Sequence, residues 1–239
     1  MFTRKGSPER IIVLAEPKDW IPCQASQKLA DRIVTLWEPT KYLYLRARAI
    51  TANISNGNGD FFEDKQIEIA YPTFEGKGFY KDHDTSSIDK IKGKICAAKW
   101  INLANDKYVE DLVAVDRNKD IQLVEDIKNG IVNSVSMGCM VEEAICSVCN
   151  NVAHVMNELC EHMNPQSLKY CKGHKDSEGK TIYEINRGII FNELSAVTIP
   201  ADPTAKIFEI LDNKQLTADM NDLNIKLEKI IEFLESLKK

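Results

Sequence analysis

The chain has 239 residues, of which 44% are apolar and 28% are charged. This composition excludes a wholly disordered or collagen-like protein, because both classes lack the apolar side chains that a core requires. Lysine and arginine total 31 against 36 aspartate and glutamate residues, which gives a net charge of −5. So small an acidic excess argues against a general binder of nucleic acid or of anionic membranes.

Hydrophobic runs and cysteine usage indicate the compartment. No apolar run approaches the roughly 20 residues that cross a bilayer, and the first ten residues lack the apolar segment of a secretion signal. We therefore expect a soluble, intracellular protein. Four of the seven cysteines crowd between positions 146 and 171, which favours a metal site over a disulfide framework. Cys23, Cys96 and Cys139 stand beside apolar residues and are expected to be small core residues.

The first 40 residues read as a peripheral arm. They contain a short apolar run at 11–15 and apolar residues at helical spacing over 26–37. Pro17, Pro22 and Pro39 interrupt regular structure around them. We assign residues 1–40 to an arm that lies outside the main domain.

Short strands dominate residues 41–205. Apolar and polar residues alternate from Tyr42 onward, which predicts a half-buried strand, and turn-forming residues at 53–60 predict a loop. Helices are predicted at 63–70 and at 121–128, the second ended by Asn129 and Gly130. Further strands are predicted at 78–81, 93–101, 108–115, 132–141, 181–185 and 188–199. This order predicts a mainly β, α+β fold: a closed or nearly closed β-barrel with peripheral helices.

A different pattern begins near residue 206. Leucine, isoleucine and methionine recur at alternating spacings of four and three from Leu216 to Leu237, the apolar seam of a coiled coil or docking helix. We assign residues 206–239 to a linker and this helix. Its stripe needs a partner, which is the chain's own domain, a second copy or another coiled protein.

His83 is the first candidate for chemistry. It is one of four histidines and stands outside the cysteine-rich segment, at the end of a predicted strand and between Asp82 and Asp84. Imidazole accepts and donates protons near neutral pH, so His83 is a candidate general base.

Two serines are the next candidates, within the segment NSVSMGC at 133–139. Period two places Ser134 and Ser136 on one face of a strand, and spacing does not choose between them. Gly138 leaves room for a substrate backbone, with main-chain N–H groups for an oxyanion. A serine nucleophile needs a base within hydrogen-bond reach and a third group that orients the base. Outside the metal segment, His83 is the histidine that fits the role of base.

The third candidate is a metal motif. Cys146 and Cys149 form a CxxC pair, a standard zinc knuckle, and a second pair of soft ligands can close a tetrahedral structural site. That second pair is either Cys160 with His162 or drawn partly from Cys171 and His174. Four ligands leave no position for a reactive water, so we expect a structural zinc ion and no catalytic metal.

A DNA-reading zinc finger does not fit this segment. Twelve residues separate Cys149 from His162, but no second histidine follows three to five residues later. The segment is also acidic, the wrong sign for phosphate contacts.

Four blocks of the sequence carry a resemblance to a known family. In order they read NGDFFEDKQIEIAYPTFEGKGFYKDHD, VNSVSMGC, CSVC with LCEH, and YEINRGIIFNELSAVTIPADPTA. The similarity runs from about Asn56 to Ala205, about three fifths of the chain. Together they resemble the prohead maturation proteases of tailed bacteriophages, a group related in fold to the herpesvirus assemblin proteases. The arm and the heptad-patterned tail lie outside the resemblance.

The resemblance implies roles for particular residues. His83 would be the general base, Ser136 the nucleophile, and Glu193, in the NELSAVTIPADP block, the group that orients the base. Asp82, Asp84 and Asp116 stay open as alternatives to Glu193.

The resemblance also bears on the metal ligands. The CSVC and LCEH blocks are similar to a metal-knuckle insertion within residues 143–180, which favours the ligand set Cys146, Cys149, Cys160 and His162. Cys171 and His174 go beyond that pattern and leave the fourth ligand open.

The function implied by the resemblance is a serine endopeptidase on an assemblin-like β-barrel. It would act inside the assembling prohead, in the host cytoplasm, where it cleaves scaffold or core proteins, extensions of the major capsid protein and itself. No nucleic-acid or membrane partner is expected, and the C-terminal helix offers self-association. The competing hypothesis is a non-enzymatic, zinc-stapled structural or scaffold-binding protein of the virion.

Overall fold

The computed structural model describes residues 2–7 and 38–211. The helices predicted at 26–37 and 216–237 lie outside the described residues. The strands are β1 (Phe2–Ser7), β2 (Tyr42–Thr51), β3 (Asp60–Phe62), β4 (Gly78–Lys81), β5 (Gly93–Leu103), β6 (Asp106–Asp116), β7 (Ser134–Val141), β8 (Glu143–Cys146), β9 (Val152–Ala153), β10 (Glu184–Arg187), β11 (Ile190–Val197) and β12 (Lys206–Leu211). The α-helices within these ranges are α1 (Asp64–Ala70) and α2 (Ile121–Lys128).

Seven strands form a closed barrel. Their order is β7, β11, β4, β5, β6, β2 and β12, and the barrel closes where Lys206 of β12 pairs with Ser134 of β7. Neighbouring strands are antiparallel except β11 and β4, which run parallel. Strand β1 adds to the edge of β7 beside the barrel. The expectation of a closed, mainly β barrel is therefore confirmed.

Alternation along the strands fills the barrel. In β2, Leu43, Leu45, Ala47 and Ala49 are buried, as period two requires of a strand with one face in the core. Aromatic side chains complete the interior, where the rings of Phe74 and Phe191 stack with centroids 4.1 Å apart.

Capping and turn-forming residues mark the ends of the two helices. The Asp120 carboxylate caps α2 by accepting a hydrogen bond from the Leu123 N–H at 3.0 Å, and Gly130 follows the helix with φ of +70°. Helix α1 passes at Ala70 into a short 3-10 turn that contains Pro72. Both helices match the predicted positions to within one residue. Within the described ranges, no helix has the length and apolar character needed to cross a membrane.

A second, four-stranded sheet stands beside the barrel in the order β3, β10, β8 and β9. Its strand β8 follows β7 after a single residue, and its strand β10 precedes β11 by two residues. The two barrel strands β7 and β11 are thus continued, with short breaks, into the smaller sheet.

Residues 206–211 differ from their sequence assignment. The sequence places them in a linker, whereas they form β12, the strand that closes the barrel between β2 and β7. Ile207 and Ile210 pack against the core, and the Ile207 N–H donates to the Asn133 carbonyl at 2.7 Å. The linker assignment is wrong for these six residues. The side chains of Ile207 and Ile210 pack in the barrel and do not belong to the heptad pattern that follows.

Candidate active site and metal centre

Three neighbouring strands bring His83, Ser136 and Glu193 together. Ser136 lies on β7 and Glu193 lies on β11, which pair antiparallel so that Ser136 is opposite Ser195 and Glu193 is opposite Gly138. Strand β4 runs parallel to β11 on its other side, and His83 follows two residues after β4 ends. Residues 53 and 110 positions apart in the chain therefore meet at one place on the barrel wall.

The three side chains form a continuous line of hydrogen bonds. His83 Nε2 lies 2.5 Å from Ser136 Oγ, and His83 Nδ1 lies 2.8 Å from Glu193 Oε1. An ionised carboxylate can only accept a hydrogen bond, so Nδ1 carries the imidazole proton. Nε2 is then left as the acceptor for the Ser136 hydroxyl, the arrangement that a general base requires.

The turn after β4 aims the imidazole at the serine. Asp82 and His83 have φ of +51° and +57°, the left-handed region that residues with a Cβ rarely adopt. The Asp82 N–H donates to the Ala196 carbonyl at 2.9 Å, so strand β11 holds this turn in place. Backbone strain of this kind persists only where surrounding contacts maintain it.

The nucleophile and the carboxylate are buried, and the imidazole between them is less so. Ser136 is 2% exposed and Glu193 4% exposed, whereas the His83 side chain is 15% exposed. Low exposure strengthens the electrostatic contact between carboxylate and imidazole because little water screens it.

Three of the other candidate residues make their contacts elsewhere. The Ser134 hydroxyl donates to the Asn133 side chain at 3.3 Å, and Asp84 pairs with Lys90 at 2.7 Å. The Lys90 contact, followed by those from Ser86, lowers the pKa of Asp84 to about 2. Asp116 accepts a hydrogen bond from the Asn118 N–H. Of the open alternatives, the structure places Ser136 and Glu193 against His83.

The structural role of Gly138 differs from the predicted one. The sequence suggests that it leaves room for a substrate backbone, but a Cβ at this position would lie 2.5 Å from Glu193 Oε1 and 3.2 Å from Glu193 Cδ. Real Cβ atoms essentially never approach so closely. The missing side chain thus makes room for the Glu193 carboxylate.

Sequence reasoning missed Ser195. Its hydroxyl donates to Glu193 Oε2 at 2.7 Å, and it accepts a hydrogen bond from the His83 N–H at 3.2 Å. Period two places Ser195 on the same strand face as Glu193, and this shared face is the sign that could have identified it.

A second cluster gathers four metal-binding side chains. Ligand atoms of Cys146, Cys149, Cys160 and His162 all lie within 4.8 Å of one another. His162 Nδ1 is 3.8 Å from Cys146 Sγ and 3.7 Å from Cys160 Sγ. Ligands at about 2.3 Å (sulfur) and 2.0–2.1 Å (nitrogen) from a tetrahedral zinc ion stand at comparable separations. The cluster could hold a metal ion, and its thiols and imidazole are the donors that zinc prefers.

The cluster begins at the end of a strand of the small sheet. Cys146 ends β8 and is buried, and this burial raises the pKa of its thiol to about 12. Cys171 and His174, the remaining open candidates, are not members of the four-residue cluster. Cys171 instead directs its thiol to the His162 carbonyl at 3.9 Å.

Lys172 ties the metal segment to the small sheet. Its ammonium group lies 2.5 Å from Asp60 Oδ1 and 3.3 Å from Glu184 Oε2. The three side chains are 7%, 1% and 0% exposed, so one buried cation serves two buried carboxylates on the paired strands β3 and β10.

Comparisons of this chain with protein families, with curated proteins and with solved structures find no match.

Proposed function

We propose that this protein is a serine endopeptidase that works through an acyl-enzyme. The observation that carries the proposal is the line of hydrogen bonds from Ser136 through His83 to Glu193. A hydroxyl, a base within reach of its proton and a carboxylate that orients the base are the parts of an activated serine nucleophile. Three strands are needed to assemble them, and the low exposure of the site strengthens the attraction between the Glu193 carboxylate and the imidazolium that forms during the reaction.

The proposed reaction follows from the positions of the protons. His83 Nε2 removes the proton from Ser136 Oγ as that oxygen attacks the scissile carbonyl carbon, and Glu193 stabilises the resulting imidazolium through Nδ1–H. The protonated Nε2 then gives its proton to the leaving amine as the carbon–nitrogen bond breaks. Water attacks the ester in the same way, its proton passing through His83 to Ser136, and the new carboxyl terminus departs.

We further propose a place for this activity in prohead maturation. The resemblance to phage maturation proteases supports it, and a closed β-barrel is compatible with an assemblin-like fold. The substrates proposed are scaffold or core proteins, extensions of the major capsid protein and the chain itself, inside the assembling prohead in the host cytoplasm. We propose that the heptad-patterned segment docks the precursor on the scaffold and is released by cleavage beyond Leu211, since residues 206–211 belong to the barrel.

For the Cys3His cluster we propose one structural zinc ion. Cys146, Cys149, Cys160 and His162 would fill a tetrahedral set, which leaves no position for a reactive water. The ion would fix the loops after β8 and β9 as a rigid insertion beside the barrel.

A fluorophosphonate serine probe tests the peptidase proposal. An activated Ser136 forms a bond to phosphorus, fluoride leaves and His83 takes the hydroxyl proton, whereas an unactivated serine does not react. We expect stoichiometric labelling that peptide mass spectrometry assigns to Ser136, and no labelling of Ser136→Ala or His83→Ala. Ser134→Ala is the matched control and should label like the natural protein. Absence of labelling in the natural protein would favour the non-enzymatic, zinc-stapled virion protein.

A further inference from the structure

Ser195 makes two hydrogen bonds whose directions are fixed by chemistry. Its Oγ lies 2.7 Å from Glu193 Oε2 and 3.2 Å from the His83 backbone nitrogen. A carboxylate has no proton and a backbone N–H has no lone pair to offer, so the hydroxyl donates to Glu193 and accepts from His83. The side chain is fully buried at 0% exposure, so bulk water does not compete for either bond.

The first bond fixes the Glu193 carboxylate. One oxygen faces His83 Nδ1 and the other faces Ser195, so both ends of the carboxylate are held. The terminal torsion of a glutamate side chain has a broad energy minimum and is not fixed by rotamer preference alone. Without the Ser195 hydroxyl, the carboxylate would rotate more freely and one buried oxygen would lose its donor.

The second bond fixes the turn that carries the base. His83 has φ of +57°, and its N–H is bound by Ser195 while the N–H of Asp82 is bound by the Ala196 carbonyl. Two successive residues of β11 therefore hold two successive residues of the strained turn. The same hydroxyl thus holds the base through its backbone and the orienting carboxylate through its oxygen.

We propose that Ser195 is a positioning residue that holds Glu193 and His83 in register with Ser136. The inference rests on the proposed peptidase function. Ser195 holds the orienting carboxylate and the backbone of the base, so it acts on the rate of the chemical step and not on binding.

The test uses the full chain and a fluorophosphonate probe, with the maximal labelling rate measured separately from the concentration for half-maximal rate. For Ser195→Ala we expect the maximal rate to fall by about 10-fold to 100-fold, since misplacing catalytic groups by about 1 Å has effects of this size. The half-maximal concentration should stay unchanged. Ser195→Cys, with a weak S–H donor, should give an intermediate rate, and Ser134→Ala should match the natural protein.

A spectroscopic measurement separates positioning from a merely structural role. The proton on His83 Nδ1 should give a downfield resonance in the natural protein because it is shared with a fixed carboxylate, and Ser195→Ala should move or broaden it while the unfolding midpoint changes little. A natural protein that labels, with Ser195→Ala labelling at the same rate, would overturn the Ser195 inference alone. A natural protein that never labels would overturn the peptidase proposal and this role with it.

Discussion

Gly138 and Glu193 face each other across strands β7 and β11, and the carboxylate occupies the place where a Gly138 side chain would lie. A methyl group there would stand 2.5 Å from Glu193 Oε1, the oxygen that contacts His83. For Gly138→Ala we therefore expect Glu193 to be pushed from His83 and the rate of probe labelling at Ser136 to fall by about 10²-fold. The measurement is the labelling rate at a saturating probe concentration.

Two further variants make this result specific. Glu193→Gln should lower the same rate by up to about 10⁴-fold, because an amide neither fixes the tautomer nor stabilises the imidazolium. Ser134→Ala, on the same strand but outside the hydrogen-bond line, should leave it unchanged. An unaltered rate in Gly138→Ala would mean that the carboxylate position does not limit the reaction.

The cysteine cluster makes a separate prediction about metal content. Purified protein should contain about one zinc ion per chain, and Cys146→Ser should lose it because a hydroxyl is a poor zinc ligand at neutral pH. Cys171→Ser is the matched control, since Cys171 lies outside the four-residue cluster, and it should keep the ion. Elemental analysis after gel filtration measures both. Equal zinc in the two variants would contradict the ligand set.

Some of the strands and helices can be predicted from the sequence for simple physical reasons. The strand at 78–81 and the helix at 121–128 were predicted at their observed bounds, because local period and capping residues mark them. Strand β9 has only two residues, too few for a period, and β12 lies next to a heptad pattern that masks it. Local pattern therefore located the elements that period and capping residues mark, and it missed those fixed by tertiary pairing.

The candidate site shows the same division. Motif blocks single out His83, Ser136 and Glu193, but not Ser195, whose contacts depend on a residue 112 positions away. The clash that a Gly138 side chain would meet is likewise a property of the paired strands β7 and β11. Spacing in one strand does not predict what the neighbouring strand places opposite.

Lys172 should be a large single contributor to stability. Removing its charge would take the Lys172 ammonium group away from Asp60 and Glu184, which are buried at 1% and 0% exposure. For Lys172→Met we expect the free energy of unfolding, from urea denaturation, to fall by about 3–5 kcal/mol. Lys169→Met removes the exposed pair with Glu161 and should cost about 1 kcal/mol or less. Similar decreases in the free energy of unfolding in the two variants would show that the buried ion pair contributes no more to stability than the exposed pair.

Glu110 gives a prediction about pH. Burial raises its pKa from 4.5 to about 8, and the contact with Arg46 at 3.1 Å opposes this without cancelling it. Between these two values the folded chain holds a proton that the unfolded chain has released, so raising the pH favours unfolding. The natural protein should lose stability relative to Glu110→Gln from about pH 4.5 to 8, by at most about 1.4 kcal/mol per pH unit. Urea denaturation at several pH values measures this, and a constant difference would contradict it.

Truncation at two neighbouring positions tests whether β12 belongs to the barrel. A chain ending at Ala205 lacks the strand that joins β2 to β7, whereas a chain ending at Leu211 keeps it. Without β12, the edges of β2 and β7 lose their hydrogen-bond partners, and the core loses the packing of Ile207 and Ile210. Both truncations remove the heptad-patterned segment, so any difference in stability between the two chains is due to residues 206–211 alone.

We expect the shorter chain to be less stable than the longer one by about 2 kcal/mol or more, since burying an isoleucine side chain contributes about 1.5–3 kcal/mol. Exposed strand edges also pair with one another between molecules, so the shorter chain should form larger species in gel filtration. The longer chain should retain probe labelling at Ser136, because the strands that hold His83, Ser136 and Glu193 are complete in it. Equal unfolding free energies in the two chains would show that the barrel does not need its seventh strand, and would return residues 206–211 to the linker.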